Sequence, residues 1–241
     1  MRCWRFSPNS MANLAQLRVL EELDGLVLVD KPEGIAFSTV VKTVKRKFNL
    51  VKLGHGGSLD AFASGLLVLL LNGANRYVDR IMSADRVYEG ALVFGETTDT
   101  GDRLGRPAPL PGRVLGVEEA RGDIFQVEPR FCAVRREGTA EYEIADTGEH
   151  KQFLSHIYKF ELEGGPAAGA KAGVAAKFSL SASKNLIPRA LAQDMGATLV
   201  SLRRTKIGKL SIDDAIPFDK LLETDIGNLP SCVVPISRAL R

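Results

Sequence analysis

Between Gly54 and Gly65 the chain reads Gly-His-Gly-Gly-Ser-Leu-Asp-Ala-Phe-Ala-Ser-Gly, and an unbroken apolar run, Leu66 to Leu71, follows at once. Glycines at 54, 56 and 57 open backbone conformations closed to other residues and let a ligand approach closely. The one carboxylate of the stretch, Asp60, stands five positions after His55. An unpaired carboxylate is costly to desolvate, so one set in such a loop beside an apolar run points to a task. A blander alternative fits the same residues: a turn in which Asp60 caps a helix beginning near Ala61. A hydrolase that cradles phosphate on the glycines would need a Walker-type Lys-Ser/Thr after them, and none follows Gly57.

Strand and helix patterns surround this loop. Leu26–Asp30 reads as a buried strand ended by the turn Lys31-Pro32-Glu33-Gly34. Ser38 is placed to cap a helix through Phe48, with Val40, Val41, Val44 and Phe48 at helical spacing and Lys42, Lys45, Arg46 and Lys47 elsewhere. Further helices are expected at 75–83, 117–121 and 187–199. Strands are expected at 86–94, 131–136, 152–162 and 177–183, with the Gly/Ala-rich stretch 163–176 joining the last two as a hairpin loop. Residues 101–113, with three Gly and three Pro, read as loop. Strands and helices mix without a βαβ rhythm, which predicts an α+β fold around one mixed, mostly antiparallel sheet.

The 241 residues suffice for one large domain with a substantial core. The Leu66–Leu71 run is far too short to span a membrane. Cys3, Cys132 and Cys232 lie far apart with no metal-like spacing, which points to reduced thiols, a reducing compartment such as the cytoplasm, and no zinc site. Residues 1–20 hold three Arg and no acid, a pattern that also admits an organelle-targeting segment. Net charge is only +3, yet 42–52 carry five Lys/Arg and 201–210 carry four, neither with an acid. Two acid-free basic runs in a nearly neutral chain predict a localised surface for phosphate.

Four further blocks occur in order: Asp24-Gly25-Leu26-Val27-Leu28-Val29-Asp30-Lys31-Pro32-Glu33-Gly34; Asp85-Arg86-Val87-Tyr88-Glu89-Gly90; Phe94-Gly95-Glu96-Thr97-Thr98-Asp99-Thr100-Gly101-Asp102; and Leu202-Arg203-Arg204-Thr205-Lys206-Ile207-Gly208-Lys209-Leu210. Together with the 54–65 loop they resemble the TruB family of tRNA pseudouridine synthases over roughly residues 24–218. The stretch Gly122–Arg135, containing Gln126, is a weaker match to the same pattern.

The resemblance implies a pseudouridine synthase fold with an active-site cleft across the sheet, an N-terminal extension over 1–23, a catalytic domain over 24–218 and a C-terminal tail over 219–241 without the PUA-type domain of many relatives. It implies isomerisation of a uridine in the T-arm loop of tRNA (position 55), with no cofactor and no metal. Asp60 falls on the catalytic aspartate, as nucleophile or as base. His55 falls on the residue that fills the space left by the flipped base, and Tyr88 on the ring that lies against it. Arg189 falls on the partner of the aspartate and Leu202 on an apolar wall. Lys31 is either an RNA contact or a brace for the loop. Lys42, Lys45, Arg46, Arg203, Arg204 and Lys206 are candidate contacts to the RNA backbone.

Some positions depart from the family pattern. Gly56, Ser58 and Ala61 replace Thr, Thr and Pro, and Asn185-Leu186-Ile187-Pro188 replaces Gly-Thr-Tyr and an apolar residue. Ile187 thereby removes an aromatic ring from the expected pocket, and Pro188 removes a backbone donor next to Arg189. These changes leave a second reading open, a weakly catalytic or inactive relative that acts as an RNA-binding chaperone or on ribosomal assembly intermediates.

Overall fold

The computed structural model describes residues 22–127, 135–136, 139–140, 152–165 and 173–240. In chain order they form β1 (Gly25–Lys31), α1 (Phe37–Lys47), β2 (Leu53–His55), β3 (Ser64–Leu71), a 3₁₀ segment (Asn72–Tyr77), α2 (Val78–Met82), β4 (Arg86–Phe94), β5 (Thr97–Thr98), β6 (Pro107–Ala108) and β7 (Gly122–Val127). There follow β8 (Arg135–Arg136), β9 (Thr139–Ala140), β10 (Gln152–Gly164), β11 (Val174–Ala182), α3 (Pro188–Asp194), β12 (Ala197–Ile207), β13 (Leu210–Ser211), β14 (Ile216–Pro217), α4 (Phe218–Glu223) and α5 (Ser237–Leu240).

One ten-stranded sheet organises the chain, in the order β14-β1-β3-β12-β4-β11-β10-β7, with β13 on β12 and β2 on β3. Among the described strands of this sheet, only the pairs β1·β14 and β3·β12 are parallel. The fold is α+β around a mixed, mostly antiparallel sheet, as the sequence leads one to expect.

The apolar run resolves as β3, not as a helix begun at Ala61. Its residues alternate between two cores. Leu67, Leu69 and Leu71 pack with Val40, Val44 and Phe48 of the α1 region and with Phe218 and Leu221 of α4. Leu66, Val68 and Leu70 face the other way, onto Ala74, Ile81, Ile207 and Leu210. A strand buried on both faces needs apolar residues at every position, which is why the run carries no period. On the far half of the sheet, Leu92, Phe94, Phe178, Leu180 and Leu199 form a third core with Leu191 of α3.

Several boundaries differ from the sequence reading. Helix α1 starts one residue before Ser38, and its N-cap, Ala36, offers no side chain to the helix. The 75–83 helix divides into the 3₁₀ segment and α2, and 117–121 is a turn. The 187–199 helix ends at Asp194, because Gly196 takes φ +62° and turns the chain into β12. Residues 1–21, 128–134 and 166–172 lie outside the described residues, and with them most of the N-terminal extension, of the 131–136 strand and of the 163–176 loop. No helix among the described residues is long and apolar enough to cross a membrane.

At the end of α3, burial pushes the Asp194 carboxyl up to about 6 from 3.8. The folded state then holds this proton more tightly than the unfolded chain between those values, so its contribution to stability grows as pH falls from about 7 towards 4. Asp194→Asn is expected to stabilise the fold at pH 7.5 by about 1 kcal/mol and to flatten this part of the profile, as measured by urea unfolding at pH 5 and 7.5.

Candidate active site

The loop 56–63 joins β2 to β3 and cannot satisfy its carbonyls within a ladder, so two buried cations do so. Arg204, fully buried on β12, donates Nη1 to Ser58 O (2.9 Å), Nη2 to Gly57 O (3.2 Å) and Nε to Leu66 O (2.9 Å). Lys31, at the end of β1, donates Nζ to Pro32 O and Ile35 O (both 2.8 Å) and to Ala61 O (3.3 Å). Ala61 O also accepts from Gly34 N at 2.7 Å. Gly57 holds φ +127°, and a Cβ there would stand 3.1 Å from Arg86 Nη2, so the loop passes where only glycine fits comfortably. Burial lowers the Lys31 amine to about 8, with the Asp60 charge opposing the shift and Arg204 adding to it.

This bracing presents Asp60 to Arg189. The guanidinium, 4% exposed, donates Nε to Asp60 Oδ2 at 2.8 Å and Nη1 to Thr100 O at 2.8 Å. A second carboxylate, Asp102 Oδ2, lies 3.9 Å from the same Nε and is held by Thr100 Oγ1 and Leu104 N, both donating to Oδ1. Arg189 therefore sits between two carboxylates. The Asp60 side chain, 26% exposed, stays open to a ligand on its other side.

Asp60 and Arg189 border a cavity of about 950 Å³. Tyr88, Leu202, Leu59, Leu186 and Ile187 supply apolar wall, and His55, its ring 4.9 Å from that of Phe37, stands on the side of α1. Lys42 and Lys184 also reach the cavity. A volume of this size, mostly apolar with one carboxylate–guanidinium pair, accepts a flat heterocycle with its sugar. The arrangement can place a carboxylate beside a ribose at the edge of an apolar wall.

The chain also matches a known family. Residues 45–177 match the model described as TruB family pseudouridylate synthase (N terminal domain). The chain belongs to the TruB family. A tRNA pseudouridine synthase B from Bordetella avium is 36% identical over 220 residues, 83% of this chain and 88% of the relative. One of the same name from Aquifex aeolicus is 32% identical over 235 residues, 91% of this chain and 80% of the relative. Among solved structures, the crystal structure of a Cbf5-Nop10-Gar1 complex contains a chain that superposes with a TM-score of 0.63 at 21% identity, over 92% of this chain and 63% of that one; at this identity the likeness speaks for the fold alone.

Not every residue expected of a TruB-type site reaches the cavity as an RNA contact. Lys31 is fully buried, is not among the residues lining this cavity, and gives its amine to backbone carbonyls, an arrangement that fits a brace. Arg204 borders the cavity, but all its charge is turned to loop carbonyls and the Tyr88 hydroxyl, which removes it from the set of phosphate contacts. Arg203, its neighbour, points the other way and is held bidentately by Asp30 at 2.7 and 3.1 Å. Lys42, Lys45 and Arg46 on α1 and Lys206 on β12 are exposed. The missing donor at Pro188 costs the TruB site little. Pro188 is the first residue of α3, where an N–H has no partner within the helix and a fixed φ favours the helical start. Thr100, Asp102, Arg86 and Lys184 were not singled out from the sequence. Asp99 and Asp102 both lie in the block Phe94–Asp102, and nothing in the spacing tells which of them turns inward.

Proposed function

We propose that this TruB-family chain converts a uridine of tRNA to pseudouridine, and that the target is the T-arm loop uridine at position 55. The observation that carries this reading is the contact of Asp60 with Arg189 at the edge of an apolar cavity faced by Tyr88 and Leu202. The reaction breaks the N1–C1′ bond, turns the uracil and forms a bond from its C5 to C1′, with the C5 proton moved to nitrogen. It is an isomerisation without net oxidation, and Asp60 serves it as nucleophile or as base. Arg189 pairs with the carboxylate and fixes its rotamer. The base is reached by flipping: Tyr88 offers a stacking face worth about 1–3 kcal/mol, and His55 enters the space vacated in the RNA.

The departures at Asn185–Pro188 leave Arg189 within hydrogen-bonding distance of Asp60, which favours an active enzyme over a non-catalytic RNA-binding relative. The exposed cations of α1 would meet the phosphates. Binding is expected to weaken steeply with salt, and replacing Lys42, Lys45 and Arg46 with Ala lowers the slope of log K against log salt by about 2–3.

The test is pseudouridine formation on an unmodified tRNA transcript, mapped to the nucleotide, with wild type and Asp60→Ala side by side. Product at position 55 from wild type alone supports the reading. Product at another uridine moves the target, and tight binding without product from either protein replaces the enzyme by the chaperone or assembly role.

A further inference from the structure

Strand β7 inverts the usual placement of polar and apolar residues. Phe125 is 75% exposed and Val127 also faces out, whereas Gln126 between them is fully buried. A chain that exposes phenylalanine and buries a carboxamide needs a return for doing so, since an unpartnered amide in the interior is costly.

The carboxamide is bonded at both ends to one residue. Ile187 N donates to Gln126 Oε1 at 3.0 Å, and Gln126 Nε2 donates back to Ile187 O at 3.1 Å. Ser155 Oγ donates to the same Oε1 at 3.3 Å, and the N–H and carbonyl of Ile187 fix which end of the amide is oxygen. The side chain thus does for Ile187 what the edge of a neighbouring strand would do. Ile187 is the residue from which α3 departs, and its own side chain gives the helix no cap. Pro188 follows with a restricted φ, and Arg189 comes next. Fixing Ile187 therefore fixes the root of the side chain whose Nε reaches Asp60.

We propose that Gln126 is a positioning residue for the isomerisation: by gripping the Ile187 backbone it sets the reach of Arg189 to Asp60. This rests on the reading of Asp60 as the reactive carboxylate. Gln126 lines no part of the cavity, so it touches neither substrate nor reacting atoms.

Gln126→Met keeps the volume and removes all three bonds. The expected result is a single-turnover rate about 10²-fold lower with tRNA affinity within about threefold of wild type, since a small misplacement of a catalytic pair has an effect of that size. A wild-type rate in folded Gln126→Met overturns the proposal, as does a loss confined to affinity. If Gln126→Met does not fold, Gln126→Glu takes its place: it keeps the acceptor for Ile187 N and loses the donor to Ile187 O, and an unchanged rate there also overturns it. If wild type itself forms no pseudouridine, the functional reading fails and the positioning is read directly. The Arg189 Nε–H resonance, assigned through Arg189→Lys, then shifts and exchanges faster in Gln126→Met if the proposal is right and is unchanged if it is wrong.

Discussion

Asp60→Asn is expected to eliminate pseudouridine formation, a fall of about 10⁴-fold or more in single-turnover rate, while tRNA binding stays within about tenfold. The substitution is nearly isosteric, and its amide oxygen still accepts from Arg189 Nε, so the pair keeps its contact and loses its negative charge. What disappears is the group that attacks or takes a proton. The cavity walls and the exposed cations of α1, proposed to supply affinity, are untouched. Carbodiimide labelling of pseudouridine in the transcript, run beside filter binding, separates the two. A residual rate within tenfold of wild type removes Asp60 from the chemistry.

Arg204→Leu is expected to act on the fold. The change leaves the carbonyls of Gly57, Ser58 and Leu66 without the donor that holds them. Breaking a buried charged network of this kind costs about 3–5 kcal/mol, which corresponds to a fall in Tm of about 10 °C for a chain of 241 residues. Arg203→Ala, one position away, removes a half-exposed pair with Asp30 and costs about 1 kcal/mol or less. Calorimetry on the two variants should show this contrast. Equal melting temperatures would mean that Arg204 does not brace the loop.

These adjacent arginines mark the limit of what the sequence discloses. In the run 201–210 all cations look alike, because charge along a strand says nothing about register. In the structure Leu202 and Arg204 face inward while Arg203 does not, so a block that reads as one basic patch divides into a buried brace and a surface ion pair. The alternating strand at 86–94 was legible to its end residues, since one of its faces is less buried than the other. Leu66–Leu71 was not, because burial on both faces erases the alternation that separates strand from helix. His55, Asp60, Tyr88, Arg189 and Leu202, taken from the family resemblance, all border one cavity. The residues that orient them were harder to see. Gln126 and Asp102 act through long-range contacts, and a polar residue inside a strand looks, from sequence, like one that faces water.

Asp60 and Arg189 lie 129 residues apart in the chain, and Ser58 and Arg204 are 146 apart. Translation therefore delivers the carboxylate loop long before either arginine exists. A nascent chain holding His55, Asp60 and Tyr88 has no guanidinium for the carboxylate and no clasp for the loop, and β12 has yet to slot between β3 and β4. Such long-range closures are slow and come late in folding. A product of synthesis interrupted before Arg189 therefore lacks both the partner of Asp60 and the clasp on its loop.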